Sequence, residues 1–473
     1  MSNNRREFLK LAGLAGVGLA GTSMLNACAT AGASAGNVPK QAAKSHRQVF
    51  NMSGYAAPKL ETVRIGFIGL GQRGPGAVNR INRIEGVDIK GLCDLRPENV
   101  ASAQKILANS THKPTTYSGK EEAWKEMVDR DDIDLIYIAT PWHLHTPMAV
   151  YAMEHGKHVA VEVPAATTLE ECWQLVETSE RTRKHCMMLE NCCYDFFEML
   201  TLNMARQGFF GEIVHGEGAY LHNLVDLNFS KKGYQGMWRL KENFRDGNLY
   251  PTHGLGPICQ VMNINRGDQM DYLVSMSSND FTMGETAKKL ASQDSFYNEF
   301  ANKKYRGNMN TTTIRTKKGR TIMVQHDVSS NMPYSRIHAI TGTQGAARKW
   351  PTPAKIATSH EKWLSETEFK AVEEKYQPEL IRRLGEMAKQ VGGHGGMDFL
   401  MDWRLIDLLR NGLPLDQDVY DAALWSAIAP LSEWSVANRS NSIDVPDFTG
   451  GAWQKNTPVD ITFRGGGTTN VKI

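Results

Sequence analysis

The run Val63-Arg64-Ile65-Gly66-Phe67-Ile68-Gly69-Leu70-Gly71-Gln72-Arg73-Gly74 constrains this chain more than any other stretch. An apolar, β-branched segment enters a glycine-rich turn, with Gly69, Gly71 and Gly74 in G-x-G-x-x-G spacing. Such spacing supplies a tight turn at the first glycine, close backbone approach to a pyrophosphate at the second, and close helix–strand packing at the third. The helix that follows aims unpaired N–H groups and its positive dipole end at the phosphates. A second apolar strand, Val87 to Cys93, ends at Asp94, about 20 residues on, where a carboxylate binds adenine ribose hydroxyls. These features predict a dinucleotide-binding fold whose cofactor loop also carries Leu70, Gln72 and Arg73.

From Val63 onward, strand and helix patterns alternate. Asp134 to Thr140 is a near-continuous apolar strand, as a parallel sheet covered on both faces requires. It ends in Pro141-Trp142-His143-Leu144-His145; a strand ending at Val161 leads to Glu162-Val163-Pro164, and one ending at Glu190 leads to Asn191. Ligands of such sheets lie outside the carboxyl ends of the strands, so Asp94, residues 140–145, Glu162 and Asn191 face one crevice. Past residue 195 the texture changes. Strand patterns at Ile213 to Tyr220, Met270 to Met276, Asn310 to Thr316, Thr321 to Asp327 and Arg336 to Thr341 predict a large open, mainly antiparallel sheet. The fold class is α/β: a Rossmann domain over residues 60–194, then a substrate-binding α+β domain over 195–473. Helices near Met397 to Asn411 and Val419 to Ala437 are expected to pack back on that second domain.

With 54 Lys plus Arg against 51 Asp plus Glu, nothing in the charge balance points to nucleic acid. Ahead of the first strand, Arg5-Arg6-Glu7-Phe8-Leu9-Lys10, an apolar run and Leu25-Asn26-Ala27-Cys28 read as a twin-arginine leader with a lipoprotein-type cleavage site over residues 1–28. Residues 29–59, rich in small and polar types, read as a flexible tether. The expectation is an exported protein, periplasmic or membrane-anchored, with lipidation of Cys28 and homo-oligomer formation left open.

The glycine fingerprint, Thr140-Pro141-Trp142-His143-Leu144-His145, Glu162-Val163-Pro164 and a following sheet domain resemble the glucose–fructose oxidoreductase and inositol dehydrogenase family. Two departures matter. That family usually has lysine where Val163 stands, and tends to place aspartate four residues before a histidine, where Leu249 precedes His253. Glu-Val-Pro, Tyr250-Pro251-Thr252-His253, Trp238-Arg239 and the leader together resemble glycoside hydrolase family 109. This resemblance implies an NAD-dependent α-N-acetylgalactosaminidase that works by oxidation at the sugar C3, loss of the C2 proton, elimination at C1, addition of water and reduction. It implies NAD contacts at Leu70, Gly71, Asp94, Trp142, His143, Leu144, His145, Glu162, Val163 and Asn191. It implies contacts to a terminal α-linked N-acetylgalactosamine at Tyr220, Arg239, Tyr250, Pro251, Thr252, His253 and Tyr334. Tyr250 and His253 are the chosen acid–base pair, since histidine titrates near neutrality and tyrosine carries a proton when nearby charge supports it. Which of the two serves which proton stays open. So does a second function: an exported sugar oxidoreductase with permanently bound NAD(P).

Blander roles stand beside these. The histidines lack cysteine or carboxylate partners at zinc-like spacing, so no metal is expected. Cys192 and Cys193 read as a buried inert pair. Trp238, Trp403 and Trp425 suit either a sugar face or the core.

Overall fold

The computed structural model describes residues 37–472. The expected leader over 1–28 lies outside the described residues. Strands β1 (Val63–Ile68), β2 (Val87–Cys93), β3 (Thr115–Tyr117), β4 (Leu135–Ile138), β5 (His158–Val161) and β6 (Cys186–Met188) form an all-parallel sheet in the order β3-β2-β1-β4-β5-β6. Every residue of β4, β5 and β6 is buried, as helices on both faces demand. The order reverses at β1, so the crevice lies above the carboxyl ends of β1 and β4.

The second sheet contains β7 (Ile213–Leu221), β8 (Met270–Ser277), β9 (Asn310–Thr316), β10 (Thr321–Asp327), β11 (Ala339–Gly342), β12 (Ala346–Arg348), β13 (Lys355–Ala357) and β14 (Ile443–Asp444). Its order is β13-β12-β11-β7-β10-β9-β8-β14. The sheet is mixed and mostly antiparallel, with β7 and β10 running parallel. The strand expected from Arg336 starts later, at Ala339, because Ile337 and His338 take positive φ angles of 62° and 39° that break the extended run.

Two expectations are corrected. The tether was expected to run to residue 59, yet from Val38 the chain is packed. A short helix, Val38–Ala42, buries Val38 and Ala42, and Met52 and Ala57 are buried further on. Buried Glu180 accepts the Val49 N–H at 2.9 Å and lies 2.8 Å from His46 Nε2. Small and polar composition concealed these spaced apolar anchors. The carboxyl-terminal helices also do more than cover the second sheet. Met397–Asn411 packs on the Rossmann helix Gly74–Ile81, where buried Arg80 Nε donates to Asp402 at 2.7 Å. Val419–Ala437 lies against both the Rossmann helix Leu169–Thr182 and β8. Both helices are buried on nearly every face: Val419–Ala437 is largely apolar, Met397–Asn411 buries its charges in pairs such as Arg80–Asp402 and Arg404–Asp416, and Trp403 and Trp425 serve the core. Among the described residues, no helix is long and apolar enough to cross a membrane.

Candidate active site

A cavity of about 930 Å³ opens between the parallel sheet and the end of β7. Its cofactor wall is built from backbone. Gly69 has φ 91°, and a Cβ there would sit 2.5 Å from the Ala139 carbonyl at the end of β4. A Cβ on Gly74 would lie 2.0 Å from the Gly69 carbonyl, so the helix can start that close only without one. A Cβ on Gly71 would meet nothing within 4 Å, and Gly71 lines the cavity. The first and third glycines close the turn, and the second keeps space where a pyrophosphate fits. Asp94 accepts the Leu70 N–H at 2.7 Å, the Arg96 N–H at 2.9 Å and the Asn99 amide at 3.1 Å. It thus ties β2 to the loop while keeping acceptor capacity toward the cavity it lines. Leu70 is itself buried and turns its side chain into the core.

Gln72, Arg73, Trp142, His143, Leu144, Glu162, Val163 and Asn191 reach the same cavity. Arg73 Nε lies 3.0 Å from Glu162, whose charge, with that of Asp398, holds the guanidinium firmly protonated. His145 also lines the wall, but its nitrogens lie 2.7 Å from the Pro164 carbonyl and 2.8 Å from the Thr140 carbonyl. It therefore acts on the cavity through the backbone it holds. Val163 is buried and offers the site only shape.

The wall expected to meet the sugar, the sugar wall, is built from side chains. Tyr220 ends β7, and its hydroxyl lies 2.9 Å from His222 Nδ1. Trp142 stacks on Tyr250 with ring centroids 5.6 Å apart, and Trp238 meets Trp142 edge-on at 5.5 Å. The Arg239 guanidinium lies 5.1 Å from the Trp142 ring, 5.1 Å from Tyr234 and 5.0 Å from Tyr250. Three aromatic faces hold this cation at the cavity in place of a carboxylate partner. Pro251 and Thr252 are buried and open the helix Thr252–Met262, so they position the wall from behind. Tyr334 is also set back, its ring 5.0 Å from His222 and 5.5 Å from Trp350.

His253 sits in the first turn of Thr252–Met262, pressed onto β7 by paired glycines. A Cβ on Gly218 would be 2.2 Å from the Gly254 carbonyl, and one on Gly254 would be 2.2 Å from the Ala219 nitrogen. This close approach puts the imidazole 5.3 Å from Tyr220 and 4.8 Å from Tyr250, ring to ring. Its Nδ1 lies 2.7 Å and 3.0 Å from the two oxygens of Glu190. Glu190 is fully buried; burial is the largest influence and opposes its charge, but His253, together with Thr252 and the Cys192 N–H, holds the carboxyl below its usual range. The carboxylate missing at Leu249 is thus supplied from the end of β6. Burial drives Tyr250 well above its ordinary value, against the pull of Arg239, so its hydroxyl stays protonated.

Sequence reasoning missed two residues here. Glu190 could have been suspected as a carboxylate ending a fully apolar strand, which is costly to bury unless paired. His394 also lines the cavity, in the run Gly392-Gly393-His394-Gly395-Gly396, and all five residues have positive φ. Its Nδ1 lies 2.9 Å from Asp398, and its side chain is 54% exposed. One histidine between two glycine pairs, at a junction of helices, was the available signal.

Among the described residues, Glu190, Cys192 and His253 bring three donor atoms within reach of one point. Their chemistry is that of a hydrogen-bonded pair, because Glu190 also accepts the Cys192 N–H at 3.1 Å. The Arg336 guanidinium, 3.3 Å from the Cys192 sulfur, would repel a metal ion, and burial keeps that thiol protonated.

The family model of the oxidoreductase family with an NAD-binding Rossmann fold matches residues 63–190, and that of the glycosyl hydrolase 109 C-terminal domain matches 194–455. A glycosyl hydrolase family 109 protein of Bacteroides fragilis is 51% identical over 420 residues, covering 85% of this chain and 88% of its own. A protein of the same species named alpha-N-acetylgalactosaminidase is 53% identical over 410 residues, covering 85% and 95%. A levoglucosan dehydrogenase solved with NADH shares the fold, with TM-score 0.61 at 17% identity over 82% of this chain and all of that one. The loop at Gly71 fits NAD, and the chain belongs to glycosyl hydrolase family 109 as an NAD-dependent glycosidase.

Proposed function

We propose that the protein removes terminal α-linked N-acetylgalactosamine from glycans, with proton transfers made by two carboxylate-backed histidines. The observation that carries this reading is the His253–Glu190 pair at a cavity that also holds the open Gly71 cradle. The relative named alpha-N-acetylgalactosaminidase supports the choice of sugar. The glycine loop, Asp94 and the strand-end residues would hold NAD, which would supply reversible hydride acceptance at a sugar carbon and so acidify the neighbouring C–H bond. His253 has its Nδ1–H held by Glu190, which leaves Nε2 free to take the C2 proton, and Glu190 stabilises the imidazolium that forms. Tyr250 keeps its hydroxyl proton and acts as a hydrogen-bond donor to a sugar oxygen. His394, exposed at the cavity and backed by Asp398, gives a proton to the leaving C1 oxygen and takes one from the incoming water. Two imidazoles thus do the work for which ordinary glycosidases use a carboxylate pair.

Release of phenol from an aryl α-N-acetylgalactosaminide by purified protein, without added nucleotide, is the expected result. A requirement for stoichiometric oxidant, or turnover to an oxidised sugar, would contradict the reading.

The enzyme works outside the cytoplasm in this account, because Arg5-Arg6 and Cys28 form an export leader with a lipid-anchor site. Twin-arginine export carries folded protein, so NAD is loaded before export. Replacing Arg5 and Arg6 by Lys should leave unprocessed protein in the cytoplasm; normal delivery of that variant would rule this route out.

A further inference from the structure

Beside the catalytic cavity lies a second hollow of about 610 Å³, and Leu224 and Leu227 line both. The chain that leaves β7 through Tyr220 and His222 continues directly into this shared wall. The floor of the hollow is fixed. Asn308 is buried, donating to Thr282 Oγ1 at 2.8 Å and Ser330 Oγ at 3.2 Å while accepting the Phe281 N–H at 2.7 Å. Buried Asp327 accepts the N–H groups of Ser329 at 2.8 Å and Ser330 at 2.9 Å and sets the turn beneath them. At the rim, Asn223 Nδ2 donates to Asn331 Oδ1 at 2.9 Å. The Asn331 amide nitrogen and the Asp226 carboxylate, both on exposed residues lining the hollow, have no hydrogen-bond partner among the described residues.

These groups define a ligand class. The lining contains no aromatic ring and no cation, so neither a base nor a phosphate finds a partner. Amides, hydroxyls and one carboxylate, held on a pre-formed floor, suit an uncharged ligand dense in hydroxyl groups. We propose that the hollow is a subsite for the glycan on the far side of the scissile bond, holding the sugar units that remain after cleavage. The proposal rests on the glycosidase reading above and adds the part of the substrate beyond the terminal sugar. Asn331 and Asp226 grip hydroxyls of that remainder, and Leu224 and Leu227 form the shared edge across which the glycan passes from one hollow to the other.

The test uses the NAD-loaded full chain and the double variant Asp226→Ala with Asn331→Ala, checked for an unchanged melting temperature. Two substrates are compared, an aryl α-N-acetylgalactosaminide and a neutral trisaccharide bearing the same terminal sugar on lactose. The variant should lose roughly 10-fold in kcat/KM on the trisaccharide, the worth of one to two hydrogen bonds, and keep its rate on the aryl glycoside. Equal losses on both substrates, or none on either, would overturn the subsite. Lactose itself, titrated into wild type and variant, reads the site without turnover: weaker binding by the variant supports the proposal, and identical binding refutes it. Failure of wild type to cleave the aryl glycoside would instead strike the glycosidase reading, with the lactose titration still deciding the subsite.

Discussion

On the cofactor wall the groups that matter are backbone: the open space at Gly71, the turn at Gly69, and strand ends whose N–H groups Asp94 organises. On the sugar wall they are side chains delivered by separate segments: Tyr220 from β7, Arg239 from a short helix, His253 from a helix start, His394 from a glycine loop, and Glu190 from the opposite domain. A backbone site is specified by local spacing and tolerates most neighbours. A side-chain site depends on long-range packing, here the Gly218–Gly254 contact, and on buried charges that must find each other. Substitutions on the sugar wall should therefore damage chemistry while sparing cofactor binding, and those on the cofactor wall should do the reverse.

The largest expected effect is on the sugar wall. His253→Ala should lower kcat by about 10²–10⁴, the worth of a positioned base, with NAD still recovered from the denatured protein. A variant that instead raised KM at constant kcat would make His253 a shaping residue. Glu190→Gln keeps the size of the side chain and removes its charge. It should cost kcat about 10², toward the lower end of that range, because the imidazolium formed when His253 takes a proton loses its counter-charge. An unchanged kcat in Glu190→Gln would show that Glu190 only fills space. Either variant losing NAD would blur the distinction between the walls.

The glycines sharpen it. Gly71→Ala adds a Cβ that meets no protein atom within 4 Å, so the NAD-free protein should melt as wild type does. NAD should bind about 10–10²-fold more weakly, equivalent to about 1.4–2.8 kcal/mol. Gly69→Ala should instead destabilise the fold by about 1–3 kcal/mol, because it forces a left-handed backbone and a contact on the Ala139 carbonyl. Calorimetry with and without NAD separates the two outcomes, and equal melting of both variants would contradict the assignment.

A last effect lies outside both walls. Burial pushes His185 of the Rossmann domain down to about 4 and His338 of the sheet domain down to about 3. Their unfolded values lie near 6.5, so between these limits the unfolded chain binds more protons than the folded one. The stability these groups contribute is present above pH 6.5 and drains as pH falls, by on the order of 1.4 kcal/mol per unit per histidine. Melting temperature should fall from pH 7 to pH 5; a flat or rising trend would deny that both rings are neutral.

How far the sequence could be read follows the same division. Gly69 and Gly71 of the glycine fingerprint, Asp94 and the strand ends at Thr140, Glu162 and Asn191 all reach one cavity, because strand period and turn chemistry are local properties. The strands Asn310–Thr316 and Thr321–Asp327, and the helices Met397–Asn411 and Val419–Ala437, have the bounds their patterns indicate. Glu190 escaped notice because its partner lies 63 residues away, across two elements that only the fold brings together. His394 stands among four glycines, so the sequence alone marked out no chemical neighbour for it. The packed segment from Val38 was hidden by its composition, since its anchors are few and its latch to Glu180 and Tyr420 is polar.

Deuterium incorporation during turnover tests the central claim most directly. The wild-type enzyme, hydrolysing an aryl α-N-acetylgalactosaminide in heavy water, is expected to release N-acetylgalactosamine labelled at C2, because the proposed abstraction of that proton by His253 opens the position to exchange with solvent. Released sugar without deuterium at C2 would mean that the C2–H bond never breaks, and proton abstraction by the His253–Glu190 pair would have to be abandoned.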